Sequence, residues 1–346
     1  MATITKTSSG TWKALIRRKG WPTTVKTFRR ERDAQDWARR IEDEMIRGIY
    51  IHRAPAEKMT VAEALDRYLR EVTPTKRPST QKNERKKAKN LLEYLGKYGL
   101  VAVTPQLVAQ YRDTRLSEGR ADNTVRLELA LLSHLYTTAI REWDVGLTFN
   151  PVGNIRKPSP GQGRERRLEP DEEKRLIEAC TRASNPMLGW IVRLALETGM
   201  RAGEIVGLRR KHVDLHQRYV LLPETKNGTP RTVPLTREAT RILSEAASHP
   251  IRPIDTDLIF WGEPGHDGKR RGYQFQPAWY RALKQAGIQE LRFHDLRHEA
   301  ISRMVEAGLS DQEVSAISGH KSMQMLRRYS HLRSQHLVQK LDSLGR

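Results

Sequence analysis

The sequence predicts a multidomain chain, mainly α-helical with small β-sheets. Its three blocks are a ββ(β)α unit, a helical bundle and a mixed α+β unit. Three observations predict it. Amphipathic helical periods fill the middle of the 346-residue chain. Short β-type segments bounded by turn residues stand near the start and again around residues 218–235. A Pro-, Gly- and Arg-rich stretch, "NPVGNIRKPSPGQGRERRLEP", separates the second block from the third. The expected divisions are 1–55, 59–150 and 168–346, with 151–167 as a linker.

In the first block, "GTWKALIRRKG" and "PTTVKTFRR" read as β-segments around a Gly-Trp-Pro turn. The helix "ERDAQDWARRIEDEMIRG" follows, with Ala34, Trp37, Ala38, Ile41 and Met45 on one face and Gly48 as its stop. The sheet face is expected to carry Lys13, Arg17, Arg18, Lys19 and Lys26. The plain reading is a solvated basic surface; the charge of the whole chain favours contact with a polyanion.

The second block holds four clear helices. "TVAEALDRYLREV" opens with Thr60 as N-cap and Glu63 at N3, a capping box. Ser79 or Thr80 is expected to begin "STQKNERKKAKNLLEYLG". "TPQLVAQYRDTRLSEG" stops at Gly119, and "ADNTVRLELALLSHLYTTAIREW" carries a long apolar stripe. Together they predict a bundle. The run Lys82, Arg85, Lys86, Lys87 and Lys89 is either a wet helix face or a track for phosphates, with Arg126 a further basic candidate.

The third block mixes helices with a hairpin. "RYVLLPETKNGTPRTVPL" places two apolar arms around Asn227-Gly228. No internal repeat is found.

Composition narrows the partner. Lys and Arg number 62 against 41 Asp and Glu, a formal net charge of +21. Such an excess points to a polyanion. No apolar run reaches membrane-spanning length, so nucleic acid is favoured over a membrane. The N-terminus has no apolar stretch of a secretion signal. The single cysteine, Cys180, cannot staple the fold. It reads as a small buried hydrophobe, and the expected compartment is the reducing cytoplasm.

Several polar residues of the third block invite a chemical reading. Arg201 follows Gly199 in "ALETGMRAGEIVGL", where one helix stops and another starts. An arginine there can face an anion beside the next helix's N–H groups, with Glu204 to orient it. A surface Arg–Glu pair is the plainer alternative. Lys226 stands beside the hairpin turn, where a lysine is ordinarily a solubilising tip. In "LRFHDLRHEAISRMVEAG", His294 and Arg297 are three apart and share a helical face, with Ile301, Met304 and Val305 buried and Gly308 ending the helix. His294 and His298 at i, i+4 raise a metal reading. It fails for want of the Glu of H-E-x-x-H and of a second ligand cluster. Ser310 and Glu313 form a capping box, Gly319 stops that helix, and His320 follows at an orientable corner. Ser322 can cap a short helix bearing Tyr329. Taken singly, Tyr329 is a core aromatic.

The set reads differently from its members. Arg201, Lys226, His294-x-x-Arg297, His320 and Tyr329 occur in that order. "ETGMRAGEI", "HDLRH" and "SGHKSMQMLRRYSH" resemble the signature boxes of the tyrosine recombinases, the phage-integrase family. The resemblance covers roughly Leu168 to Leu344. The helical block is similar to that family's core-binding domain, and the first block to its small arm-binding domain. "NTVRLELALLSHLY", "ALETGMRAGEI" and "HDLRHEAISRM" especially resemble the shufflon-type DNA invertases, with mobile-element integrases also close.

The resemblance implies a site-specific recombinase that cleaves and rejoins DNA through a 3′-phosphotyrosine and a Holliday junction. Tyr329 would be the nucleophile, Arg201, Arg297 and His320 the phosphate donors. His294 would take the tyrosine proton, and Lys226 would protonate the leaving 5′-oxygen. A covalent protein link conserves the bond energy, so no ATP, metal or organic cofactor is implied. Double-stranded DNA, a homotetramer on synapsed sites and accessory bending proteins are the implied partners. The family also implies that the tail "LRSQHLVQKLDSL", with Leu337, Val338, Leu341 and Leu344 on one face, docks into a neighbouring protomer. Two alternatives remain: a type IB topoisomerase-like nicking-closing enzyme, which needs no bundle plus arm domain, and a binding-only regulator, which would lack the six positions.

Overall fold

The computed structural model describes residues 2–50, 54–161, 164, 166–183, 185–224, 228–327, 329, 338 and 342. The chain divides into two compact units, Met1–Gln162 and Gly163–Arg346.

The first unit opens with an antiparallel sheet in the order β1 (Ala2–Lys6), β2 (Trp12–Ile16), β3 (Thr24–Phe28). Ala14 and Ile16 are fully buried on the face that meets helix α1 (Glu31–Ile46). The helix answers with Ala34, Ala38, Ile41 and Met45, four of the five residues expected on its inner stripe; Trp37 sits half-buried against Phe28. The basic residues do not share one sheet face as expected. Lys13 pairs with Thr27 and Ala14 with Lys26, so the pleat sends Lys13 and Lys26 to opposite faces. Arg17, Arg18 and Lys19 lie beyond the end of β2, exposed in its turn.

A short helix α2 (Ala54–Lys58) crosses the interval between the two expected blocks. Ala56 packs with Ala139 and Val145, and its N–H meets the Val145 carbonyl at 3.0 Å. The bundle continues with α3 (Val61–Glu71), α4 (Pro78–Leu95), α5 (Pro105–Ser117) and α6 (Asp122–Arg141). Thr60 and Glu63 form the expected capping box, with reciprocal bonds of 3.2 and 2.8 Å. Such a cap contributes about 1 kcal/mol. Helix α4 begins earlier than expected, at Pro78, because proline suits the first helical turn, where its missing N–H costs nothing. Leu65, Leu91, Leu95, Leu129, Leu132 and Leu135 are buried at its centre. Val152, in the stretch expected to be linker, is fully buried in the same core.

That core also holds a polar knot. The Arg115 guanidinium and Tyr111 hydroxyl donate to the Glu128 carboxylate at 3.0 and 2.6 Å, and Asn90 donates at 2.6 Å. Burial alone would raise the carboxyl of Glu128; these donors outweigh it and hold it below its ordinary value.

The second unit is α+β. Helices α7 (Pro170–Thr181), α8 (Met187–Thr198) and α9 (Ala202–Val206) precede a sheet ordered β4 (Val213–Asp214), β5 (Tyr219–Leu222), β6 (Arg231–Pro234). Its antiparallel β5–β6 pair is the expected hairpin; Lys226 and Asn227 of its turn lie outside the described residues. Then come α10 (Arg237–Ala247), the two-stranded β7 (Trp261–Pro264) and β8 (Arg270–Gly272), α11 (Gln276–Ala286), α12 (Phe293–Glu306) and α13 (Asp311–Ser318). Helix α8 is buried almost all round and packs against α7, α10 and α12. Cys180 is fully buried, and burial pushes its thiol up to about 12. That fits a small hydrophobe. Of the tail stripe, Leu337, Leu341 and Leu344 lie outside the described residues; Val338 is exposed. Among the described residues, no helix is long and apolar enough to cross a membrane.

Candidate active site

The site is built where two helices end. Helix α8 closes on Gly199 at φ +61°, and α13 closes on Gly319 at φ +71°. A left-handed closing residue favours glycine. Each stop leaves backbone carbonyls exposed at the negative end of a helix. Three arginines from three elements collect at the end of α13, on three consecutive carbonyls. The Arg231 Nε donates to Ile317 O at 3.1 Å, Arg297 Nη2 to Ser318 O at 2.8 Å, and Arg201 Nη2 reaches Gly319 O at 3.5 Å. Arg297 also donates from Nη1 to Gly199 O at 2.5 Å. One guanidinium on α12 thus ties the ends of α8 and α13 together.

Glu204 is the counter-charge. Its carboxylate accepts both Nη1 and Nη2 of Arg231, at 2.9 and 2.7 Å, and Nη1 of Arg201 at 3.0 Å. It also accepts the backbone N–H of Arg201 at 2.9 Å, which fixes the start of α9. Burial would raise this carboxyl; the fork of Arg231, the Arg201 N–H and the Arg201 guanidinium overcome it and hold Glu204 at about 2. Arg297 is 3% exposed, and its described hydrogen-bond partners are carbonyls. Burial, then the charges of Arg201 and Arg231, bring it down to about 10, with Glu204 and Tyr329 opposing. The guanidinium remains cationic at neutral pH. Three positive groups therefore surround one carboxylate, and the local surplus suits an anion.

Helix α12 is held rigidly from its far side. Glu299, 2% exposed, accepts both Nε and Nη2 of Arg167 at 3.1 and 3.0 Å and Nε of Arg303 at 2.9 Å. Asp295 accepts the Arg292 N–H at 2.8 Å. Such support keeps Arg297 in place.

His320 follows Gly319. Its Nδ1 lies 2.7 Å from Ser318 Oγ, and its carbonyl accepts from Ser315 Oγ at 2.6 Å. Ser318 gives its single hydroxyl proton to Val314 O at 2.5 Å. Its oxygen therefore accepts from His320 Nδ1–H. That bond fixes the orientation of the His320 ring beside Gly319.

Tyr329 is 5% exposed and packs with Ile301, Val305, Val314 and Leu326. The plain reading of a buried aromatic thus holds for its ring. Its hydroxyl is polar-paired: Oη lies 2.6 Å from Nδ1 of His298 on α12. His298 in turn meets His294 edge-on, with ring centroids 5.1 Å apart. His294 is exposed on the first turn of α12.

Of the six sequence candidates, Arg201, Arg297 and His320 gather at the end of α13. Tyr329 packs against α12, His294 lies on its first turn, and Lys226 is outside the described residues. Two participants were missed. Arg231 opens β6, two residues before the fully buried Val233 on the same strand face, so its inward direction was readable from the pleat. His298 was weighed as a metal ligand only. Among the described residues, no three His, Cys, Asp or Glu side chains converge as metal ligands. The basic candidates Arg17, Arg18, Lys19, Lys82, Arg85, Lys86 and Arg126 are exposed and Lys87 half-exposed, all in the first unit.

The profile of the Phage integrase family matches residues 166–336, the segment that carries this arginine cluster. A shufflon-specific DNA recombinase of Escherichia coli is 43% identical over 298 residues, spanning 84% of this chain and 73% of that protein. The chain belongs to the phage integrase family. A putative integrase/recombinase of Haemophilus influenzae is 31% identical across 94% of this chain and 86% of its own length. By family this chain is a tyrosine-type site-specific recombinase, as its sequence boxes led us to expect. Solved structures share the fold. A lambda integrase dimer bound to a COC′ core site superposes with a TM-score of 0.65 at 23% identity, covering 80% of this chain and 97% of that one. The Tn1549 transposon integrase in complex with a circular intermediate DNA gives 0.67 at 17% identity, covering 83% and 100%.

Proposed function

We propose that the chain recombines double-stranded DNA at specific sites, with the arginine cluster at the end of α13 receiving the scissile phosphate. The observation that carries this is the convergence of Arg201, Arg231 and Arg297 on Ile317, Ser318 and Gly319, around the single carboxylate of Glu204. A phosphodiester in transition places extra negative charge on its non-bridging oxygens. Preorganised forked donors meet that charge without rearranging, each contributing about 2.7–4 kcal/mol by analogy with oxyanion holes. Arg201 and Arg297 are the donors, and His320 adds one from Nε2. Arg231 is spent on Glu204 and Ile317 and holds the others in place.

Tyr329 attacks phosphorus, forms a 3′-phosphotyrosine and expels a 5′-hydroxyl. Its proton leaves through the histidine pair of α12, His294 and His298, while Lys226 protonates the departing oxygen. The phenolate is also a good leaving group, so the partner strand's 5′-hydroxyl reverses the step and a Holliday junction results. The relatives' names favour inversion of a shufflon-like element or integration of a mobile one. A homotetramer on synapsed DNA fits the tetramer of lambda integrase bound to a Holliday junction, and the C-terminal tail would be exchanged between protomers. The exposed basic residues of the first unit, from Arg17 to Arg126, would track the duplex backbone. The domain divisions 1–55, 59–150 and 168–346 serve that arrangement as arm-binding, core-binding and catalytic parts. Accessory bending proteins and a cytoplasmic place of action complete the reading.

The test is covalent trapping. A duplex carrying the recombination site, located by footprinting DNA that flanks the gene, is nicked so that the cleaved fragment diffuses away. Wild-type protein should accumulate a protein–DNA adduct, and Tyr329→Phe should bind the duplex and form none. An adduct in Tyr329→Phe would overturn the assignment of the nucleophile.

A further inference from the structure

We infer that His298 is a catalytic residue of this chain: its Nδ1 takes the proton from Tyr329 Oη as the phenol attacks. The inference rests on the reading of Tyr329 as nucleophile and names the atom that activates it. The resemblance assigned this step to His294, one turn earlier on α12. The contact falls on His298.

Three observations support it. The hydroxyl and the ring nitrogen are 2.6 Å apart, within the reach a general base needs. His298 stands next to Arg297 on α12, so the helix that presents the phosphate donor also presents the base. That helix is pinned through Glu299, so neither group drifts relative to the other. A phenol is a weaker acid than an imidazolium, so in the resting pair the phenol donates and Nδ1 accepts; the ring's other nitrogen then carries its hydrogen. His294 meets His298 edge-on, which steadies the acceptor ring.

The step balances. The Oη–H bond breaks and Nδ1–H forms as an oxygen lone pair makes the bond to phosphorus. The P–O5′ bond breaks, and its electron pair leaves on the 5′-oxygen, which takes a separate proton from Lys226. In the reverse step the 5′-hydroxyl gives its proton to the neutral Lys226 and attacks phosphorus; the P–Oη bond breaks, and the imidazolium of His298 returns its proton to the departing phenolate. No oxidant, metal or nucleotide is needed for the balance.

The experiment compares single-turnover adduct formation on the nicked duplex with two leaving groups, the ordinary 5′-oxygen and a 5′-bridging sulfur. A thiolate leaves without a proton donor, so the sulfur substrate cancels a defect in the general acid and leaves a defect in the general base. His298→Ala should form adduct about 10²-fold or more slowly on both substrates, with gel-shift affinity for the duplex unchanged. His298→Asn keeps a polar group near the Nδ1 position but is a poor proton acceptor; it should be as slow. Added imidazole should restore part of the rate to His298→Ala. Wild-type rates in either variant overturn the inference. So does full rescue by the sulfur substrate, which would move His298 to the leaving group. A wild-type chain that forms no adduct at Tyr329 at all instead defeats the underlying reading, an outcome distinct from both.

Discussion

Replacing Glu204 by Gln removes one charge and almost no volume, and the structure fixes what that costs. Glu204 holds four donors: two from Arg231, one from the Arg201 guanidinium and one from the Arg201 backbone. An ordinary Glu titrates near 4.5 and this one at about 2. The gap corresponds to about 3 kcal/mol favouring the fold when the group is ionised. A carboxyl lowered by folding stabilises above its unfolded value and loses that stabilisation as pH falls through its folded value. The contribution is therefore complete above about pH 4.5 and gone near pH 2. Glutamine mimics the protonated acid, so E204Q should lack it at every pH. With two units in the chain, global unfolding is not a single transition, and local opening is the better readout. Amide hydrogen exchange in α9 and α13 at neutral pH should be about 10²-fold faster in E204Q than in wild type. The difference should narrow as pH falls from about 5 towards about 2. Equal protection at neutral pH would refute the claim that this carboxylate fastens the arginine cluster. A difference that persists undiminished in acid would refute its electrostatic origin.

Two further outcomes follow from particular contacts. Gly319→Ala forces a side chain into φ +71° and sets a Cβ 3.0 Å from Cδ and Nη1 of Arg231; the strain of about 1–2 kcal/mol falls on the carbonyls that seat the arginines, so adduct formation should slow while circular dichroism stays unchanged. Glu128→Gln leaves the buried Arg115 with Glu118 as its remaining carboxylate partner, which should destabilise the bundle by about 1.5–3 kcal/mol, seen as faster exchange in α5 and α6 with α8 and α12 unaffected.

Legibility in the sequence followed how local each cause was. The Thr60 and Ser310 capping boxes, the stops at Gly199 and Gly319 and the stripe on α1 were readable because each depends on residues within one or two turns. The early start of α4 was not, because the proline at Pro78 outranked the expected serine or threonine cap. Lys13 and Lys26 were assigned to one face because the strand register, which fixes parity, is set by pairing across the turn. Within the site, Arg201 and Glu204 could be paired from their spacing alone. Arg231 needed the fold, since its partners Glu204 and Ile317 lie 27 and 86 residues away. His298 needed it too, because only the return of the chain brings Tyr329 to α12, across 31 residues.

The placement of Arg297 explains why this corner is costly and still built. A buried guanidinium that meets carbonyls rather than a carboxylate is a charge only partly compensated, and its fall to about 10 reflects that. Exchanging it for a well-packed apolar side chain would be expected to help the free chain. What the arrangement supplies instead is direction. The carbonyls of Gly199 and Ser318 consume one donor on each terminal nitrogen, and a guanidinium has five. The remaining donors are held in a fixed plane by bonds that already exist before any ligand arrives. An anion that enters meets donors which need no reorientation, in a setting drier than water, where each bond is stronger. On the proposed function, the same uncompensated charge that weakens this corner would attract an anion, most strongly the species with the most negative charge. A phosphodiester gains charge as it passes to its transition state, so a cluster poised this way would stabilise the passage more than the ground state, which is the condition for catalysis.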